Sequence, residues 1–424
     1  MKNIEKIILL VLCSQCFIKP ANAVENDGFI GIDAIPGRLS PGLKLKTDDK
    51  VDLMGLNYGP GKIHPGLKLI VGYDDNLTLE SSNEISTFTT NVSPHVAYVV
   101  SDATRKFVFE YLLDAKFHEG SSIDDFLDNR IRASIDYTPT RRIFTGFHAE
   151  YLDSHDGRGT GRAEAGTGVT QASLDEWHQW GIGGLFAYGT TGAKGRIEAE
   201  AGFKSKEYDT NRLFTFTRDR DDAYGAARFF YRFRPKTRAL IEGRVEDTAY
   251  ARTQAGIATL DSMTTRYLVG LTWTATYKTT GFLKVGLIDK DFDSDLRDDS
   301  LGPTWEVGVD WKPRTYSVVH FETAQNLAET DGTGDAVDST RMLLSWVHAW
   351  KTRFKTNVSL FYENSTFDPN DREDDFLQFR LGAIYNFRRW LNFEAGYRFE
   401  NLDSNDNFFD YDHNVIEITA DLAL

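Results

Sequence analysis

The sequence predicts an all-β fold: a transmembrane, antiparallel, up-and-down β-barrel of about eighteen strands, with sixteen as the alternative count. From about Lys62 to Leu424 one pattern occurs nine times, and its period of ~40 residues is typical of repeat or closed architectures. Each repeat contains two stretches of ~12–16 residues in which apolar and polar side chains alternate. Acidic loops rich in Gly, Asn and Asp join the two stretches, and short, mostly basic turns separate the repeats.

The first 23 residues are predicted to be a cleaved Sec-type signal peptide. Lys2 and Lys6 make its start positive, residues 7–18 are apolar, and Ala21 and Ala23 form a small-x-small cleavage site. The apolar run is too short for a transmembrane helix, which needs ~20 apolar residues.

Charge and cysteine content exclude several kinds of function and site. The net charge is −15, and the signal peptide carries three lysines and one glutamate, so the mature chain has a charge of about −17. This charge argues against nucleic acid as a partner, because nucleic-acid binding needs a basic surface. Cys13 and Cys16 both lie in the signal peptide, so the mature chain has no disulfide and no thiolate metal site.

Residues 24–60 differ from the repeats because they are rich in Gly and Pro and contain no long alternating stretch. We interpret them as an N-terminal extension: a periplasmic arm, a plug in the lumen or a disordered lead-in. The barrel is predicted to occupy residues 61–424.

The alternation separates apolar from charged side chains. In residues 107–115, Phe107, Phe109 and Tyr111 share one face, while Glu110 and Asp114 lie on the other. Because charges in a dry core are costly, the simplest arrangement puts the apolar face in lipid and the charged face in a hydrated lumen. The predicted lumen-lining residues are Glu110, Asp114, Arg130, Arg132, Asp136, Glu150, Arg196, Glu198, Glu200, Arg228, Arg232, Glu242, Arg244, Glu246, Glu306, Asp310, Arg380, Glu394, Arg398 and Glu417.

Aromatic residues gather near the short turns, where an interfacial girdle is expected. An even strand number places both barrel ends and the short turns on the periplasmic side, with the longer loops outside. The predicted girdle residues are Tyr137, Phe144, Trp273, Tyr277, Trp311, Tyr316, Trp350 and Trp390.

No residue is singled out as catalytic. Glu198 with Glu200, and Glu242 with Glu246, have the two carboxylates of a glycosidase. However, residues two or four apart on a strand share a face without any chemistry. The histidines show no metal-binding spacing, so we expect no metal. Because no residue pattern requires catalysis, we also expect no enzyme activity and no cofactor.

Two stretches carry a resemblance to a known family. They are Gly72–Leu77 followed by Ser93-Pro94, and Thr272–Arg314 with Tyr277-Lys-Thr-Thr-Gly281, Asp289-Lys-Asp-Phe-Asp293, Trp305-Glu-Val-Gly-Val309 and Trp311-Lys-Pro-Arg-Thr315. They resemble the putative β-barrel porin 2 family of outer-membrane proteins, whose members typically lie in exopolysaccharide or capsule biosynthesis loci. Leu424 departs from the aromatic residue that usually ends such barrels.

The resemblance implies a passive Gram-negative outer-membrane channel for export of an exopolysaccharide or capsular polysaccharide, as in biofilm formation. The alternatives are a general or solute-specific diffusion porin and a non-conducting structural or adhesive barrel. Expected partners are outer-membrane lipid and lipopolysaccharide, the polysaccharide cargo, the barrel assembly machinery and, by resemblance, a periplasmic polysaccharide-export lipoprotein.

Overall fold

The computed structural model describes residues 55–160, 173–190, 192–253, 256–276, 278–329 and 334–424. The predicted signal peptide with Ala21 and Ala23, residues 24–54 of the extension, and Tyr277 lie outside these ranges. What the sequence predicts for these residues therefore remains a prediction.

A short strand precedes eighteen long ones. The strands are β1 (Leu56–Tyr58), β2 (Gly61–Asp74), β3 (Thr87–Ser101), β4 (Arg105–His118), β5 (Phe126–Thr140), β6 (Ile143–Asp156), β7 (Asp175–Tyr188), β8 (Gly195–Tyr208), β9 (Arg220–Arg234), β10 (Thr237–Tyr250), β11 (Ser262–Thr276), β12 (Thr279–Phe292), β13 (Ser300–Arg314), β14 (Ser317–Ala328), β15 (Ala336–Lys351), β16 (Phe354–Asp368), β17 (Arg372–Arg388), β18 (Leu391–Ser404) and β19 (Tyr411–Ala423).

Each long strand pairs antiparallel with the next, and β19 pairs with β2, so the sheet closes on itself. The closing register runs from Val415 opposite Asp74 to Ala423 opposite Gly66. The predicted count of eighteen barrel strands is confirmed, and the alternative of sixteen is wrong. Closure gives every strand two neighbours, which is how a β-structure satisfies its backbone polar groups in lipid.

The two rims of the barrel differ. The eight turns that follow β3, β5, β7, β9, β11, β13, β15 and β17 are short, and both ends of the barrel lie at their rim. There the N–H of Leu424 donates to the carbonyl of Pro65 at 3.1 Å. By the rule for bacterial barrels we expect this rim to be periplasmic.

Helical structure is confined, within the described ranges, to a 3-10 turn at Ser122–Asp124 and a four-residue helix at Arg212–Thr215. Both lie in loops of the opposite rim. Among these residues no helix is long and apolar enough to cross a membrane.

The exposed face of the sheet is apolar. On β11, Tyr267 and Val269 are 63% and 55% exposed, whereas their neighbours Arg266 and Leu268 are 7% and 1% exposed. The same alternation runs around the barrel, because successive strand residues point to opposite faces. The outer surface is therefore apolar and suited to lipid, while the charged side chains face inward.

The aromatic girdle is present at the short-turn rim, where Tyr137, Trp311, Trp350 and Trp390 are 43–57% exposed. Phe144 departs from the prediction. It shares a face with Gly146, at which an added Cβ would lie 3.3 Å from the Phe144 ring and 3.4 Å from the inward carboxylate of Asp136. Proximity to a turn predicts height in the membrane but not the face, which depends on strand register.

Candidate conduit

The structure places all twenty predicted lumen residues on the inner face, because each alternates with exposed outer residues of its strand. Several are brought into direct contact with one another. Whether they line a water-filled passage for cargo stays a prediction.

Contacts that skip strands identify the inner face independently. Arg244 on β10 lies 3.7 Å from Glu306 on β13, and Arg266 on β11 donates to Asn326 on β14. Each pair spans three strand spacings of ~4.8 Å. Side chains can meet over that span on the concave side of a curved sheet, whereas on the convex side they diverge.

A buried ion network centres on Glu242 of β10. Its carboxylate lies 2.7 Å from Lys284 Nζ, 2.8 Å from Arg244 Nη2 and 3.1 Å from Arg228 Nε. Lys284 also reaches Glu306 at 2.9 Å, and Arg228 reaches Glu200 at 2.7 Å.

Three cations therefore meet three carboxylates across β8 to β13. The side chain of Glu242 is 0% exposed and that of Lys284 is 3% exposed. Buried charges are tolerated when each is paired and hydrogen-bonded, so this network forms a charge-balanced inner wall.

Another sector of the inner face keeps contact with solvent. Arg130 and Arg132 both bind Glu150, at 2.5 Å and 3.2 Å, and Glu110 stands opposite Arg132 in the strand register. Arg130 is 27% exposed and Arg398 on β18 is 25% exposed. The accessible charges thus include β5 and β18, near the seam where the barrel closes.

The seam itself carries a histidine clasp. His413 on β19 lies with Nε2 2.9 Å from Asp74 of β2 and with Nδ1 2.7 Å from Glu400 of β18. Both acceptors are carboxylate oxygens, so the ring donates from both nitrogens, which only the imidazolium form can do. One cation therefore links three strands across the closing seam.

Loops fold over the outer mouth of the barrel. Leu79, in the loop between β2 and β3, is 5% exposed and packs with Phe376, Leu402 and Tyr411. Gly159 comes so close to this loop that an added Cβ would lie 2.2 Å from the carbonyl oxygen of Thr78.

Further hydrogen bonds hold the mouth loops together. Arg158 Nε donates to Asp124 at 2.6 Å, and Asn76 Nδ2 donates to the carbonyl of Asp412 at 2.9 Å. These bonds join loops to neighbouring hairpins and, at the closing seam, the loop after β2 to the start of β19.

Three of the four carboxylates considered for glycosidase chemistry, Glu198, Glu200 and Glu242, have basic partners. Arg196 Nε donates to Glu198 at 2.7 Å, and Glu200 and Glu242 both bind Arg228. Their hydrogen bonds go to guanidinium groups, which fits bracing between neighbouring strands.

One group within the described ranges has the residue types of a metal site. Ligand atoms of Asp74, Asp75 and His413 lie within 4.8 Å of one another. Protein partners already engage them: Asp74 binds His413, and Asp75 accepts hydrogen bonds from Asn414 at 2.6 and 2.8 Å.

Several inner charged residues were not predicted. Lys284 and Lys290 on β12 are 2% and 0% exposed, yet the surrounding Gly281, Gly286 and Ile288 obscure the polar alternation. The alternation already places Glu400 on the charged face with Glu394 and Arg398. His413 was missed because its importance depends on the seam, where residues distant in sequence meet, although extending the two-residue period from Glu417 would have found it.

The closed barrel, its apolar outer face and its charged inner face define a porin-like outer-membrane β-barrel of the Gram-negative type. The chain belongs to the family described as "Putative beta-barrel porin 2", whose model matches residues 49–424. This confirms the resemblance drawn from the sequence. No curated protein sequence matches the chain.

Solved outer-membrane barrels show a distant likeness. OccK1 (OpdK) of Pseudomonas aeruginosa is 9% identical with a TM-score of 0.47, over 85% of this chain and 99% of that chain. The FrpB iron transporter of Neisseria meningitidis (F3-3 variant) is 13% identical with a TM-score of 0.45, over 83% of this chain and 63% of FrpB. The chain thus spans less than two thirds of FrpB. The copper transporter OprC is 10% identical with a TM-score of 0.45, over 87% of this chain and 81% of that chain.

Proposed function

We propose that this barrel is a passive outer-membrane conduit through which an exopolysaccharide or capsular polysaccharide leaves the cell. The observation that carries the proposal is the inner face, where carboxylates and guanidinium groups alternate from strand to strand, as in the row Glu110, Arg132 and Glu150. Mixed charges and hydrogen-bonding groups keep a polar polymer hydrated without binding it tightly. Membership of a family whose genes typically lie in polysaccharide loci supports this cargo.

The conduit has no catalytic role in this proposal. Synthesis of the polymer and an inner-membrane and periplasmic apparatus, including a polysaccharide-export lipoprotein, supply the driving force. The barrel supplies a hydrated path across the lipid, which a polar polymer cannot cross by itself.

Deletion of the gene tests whether polymer export depends on this barrel. We expect polymer to disappear from the medium and cell surface while polymer accumulates in the periplasm, and a plasmid copy restores release. Normal surface polymer in the deletion strain contradicts the proposal.

The second candidate is a diffusion porin, which the family description favours. Planar-bilayer conductance with small sugars and with long glycans separates the two functions. Free passage of small sugars, with long glycans excluded and producing no blockade of the conductance, favours the porin. Entry of long glycans, seen as long-lived partial blockade, favours the conduit.

A further inference from the structure

A groove on the lipid-facing surface lies outside the conduit. It has a volume of about 560 Å³ and is lined mainly by outer-face residues of β4, β5 and β6, with Thr104 of the adjoining turn and the backbone at Gly146, next to the short-turn rim. Its apolar wall consists of Ile135, Tyr137 and Phe147, which are 42%, 43% and 51% exposed. At this rim the apolar zone of the membrane gives way to phospholipid headgroups.

One charged side chain, Arg105, lines the groove, and a carboxylate that is not part of the lining lies beside it. Arg105 Nη2 and Nε both lie 3.0 Å from this carboxylate, which belongs to Asp102 in the adjoining turn. Arg105 is exposed, and among the described residues its remaining N–H groups have no hydrogen-bond partner, so they can meet a further anion. A fork of this kind matches the oxygen atoms of a phosphate.

Asp102 is fixed as an anion. The backbone N–H groups of Thr104 and Arg105 donate to its Oδ1 at 2.7 and 2.8 Å, and these bonds lower the pKa of Asp102 to about 2. Within the part of the chain that the structure describes, its Oδ2, which faces Arg105, is engaged by that guanidinium alone. The carboxylate can therefore accept a hydrogen bond from an ammonium group at neutral pH.

We propose that this groove is a binding site for a phospholipid with a phosphoethanolamine headgroup, its phosphate on Arg105, its ammonium on Asp102 and an acyl chain along Ile135 and Phe147. The headgroup carries its anion and its hydrogen-bonding cation on adjacent atoms of one short linker, which matches the Asp102–Arg105 pair. A choline headgroup has the same charges but no N–H donor, and a glycerol headgroup lacks the cation.

A second groove at the same rim provides a comparison. It has a volume of about 420 Å³ and is lined by Trp350, Tyr316 and His348 with Lys351, but among the described residues Lys351 has no ion-paired carboxylate beside it, as Arg105 has in Asp102. This groove has a partner for a phosphate and none for an ammonium group, so we expect it to show no preference for ethanolamine.

Native mass spectrometry of the purified, delipidated barrel in detergent tests the site. The probes are phosphatidylethanolamine, phosphatidylcholine and phosphatidylglycerol with identical acyl chains. We expect the first lipid to bind with an apparent Kd roughly tenfold below the other two, about the effect of one charge-assisted hydrogen bond. We expect the preference to be unchanged between pH 5 and pH 8, because Asp102 stays ionised throughout.

Two variants measure separately what Arg105 and Asp102 contribute to lipid binding. Arg105→Gln should weaken phosphatidylethanolamine binding roughly tenfold. Asp102→Asn keeps the Oδ1 acceptor that holds the turn, so it should remove the preference over phosphatidylcholine while phosphatidylglycerol binding persists, which also shows that the variant is folded. Lys351→Gln, the matched loss of a cation at the same rim, should change neither the affinity for phosphatidylethanolamine nor the preference over phosphatidylcholine. Equal affinity for the three lipids, or an Arg105→Gln variant that binds like the unaltered barrel, overturns the proposal.

Discussion

At the scale of single residues, the inner face is built from charges that neutralise one another. Glu242 receives hydrogen bonds from Lys284 and Arg244 and pairs with Arg228, and all four are largely removed from water. Removing one member of a buried ion pair lowers the free energy of unfolding by more than the intact pair contributes to it. The remaining charge loses its partner and is not rehydrated.

Glu242→Gln should therefore lower the free energy of unfolding by roughly 3–5 kcal/mol, because three cations would then share two carboxylates. Urea unfolding in detergent micelles, followed by tryptophan fluorescence, measures the loss. Glu246→Gln on the same strand and face is the control, since Glu246 makes no ion pair within the described residues. Its expected loss is below about 1 kcal/mol, and equal losses for the two variants would contradict the buried network.

The histidine clasp leads to a second prediction at this scale. His413→Leu leaves Asp74 and Glu400 without the cation between them, so we expect a loss of about 3 kcal/mol in the same assay. The control is His178→Leu, because His178 pairs with Asp209 at 2.9 Å but is 30% exposed. Exposed pairs contribute under about 1 kcal/mol. A clasp variant as stable as the control would show that the seam does not depend on His413.

At the scale of elements, the strand alternation decides which face meets lipid. Val269 lies at the middle of β11 and is 55% exposed, whereas Met263 on the same face lies at the outer end. A cation on the lipid face is costly at the bilayer midplane and tolerated near the interface.

Val269→Arg should therefore destabilise the barrel by roughly 2–4 kcal/mol, and Met263→Arg by about 0–1 kcal/mol. Unfolding in lipid vesicles measures both variants. If the two losses were alike, β11 would not cross the membrane in the register described.

The sequence alone predicted the number of strands and the inner face of each, because both follow from a two-residue period and short turns that recur along the chain. It did not predict the face of Phe144, the clasp at His413 or the approach of Gly159 to Thr78. These depend on register, on the closing seam and on loops that meet across the mouth. Each requires three-dimensional curvature, which no local pattern contains.

At the scale of the whole molecule, the barrel combines a charge-balanced wall on one side with accessible charges on the other. The wall includes Glu242 and Lys284, and the accessible sector includes Arg130 and Arg398. At the outer mouth, the loop between β2 and β3 packs through Leu79 against Phe376, Leu402 and Tyr411. We infer that the accessible sector forms the side of the conduit along which cargo moves.

Blocking the lumen chemically is the most direct test of whether the polymer passes through the barrel. Residues 24–424 contain no cysteine, so in the barrel Arg132→Cys on the inner face and Ile131→Cys on the lipid face each supply one site for a bulky maleimide. With the deletion strain expressing each variant, we expect labelling at residue 132 to reduce polymer release several-fold, and labelling at residue 131 to leave release unchanged. Undiminished release after complete labelling at residue 132 would show that the polymer does not pass through this barrel.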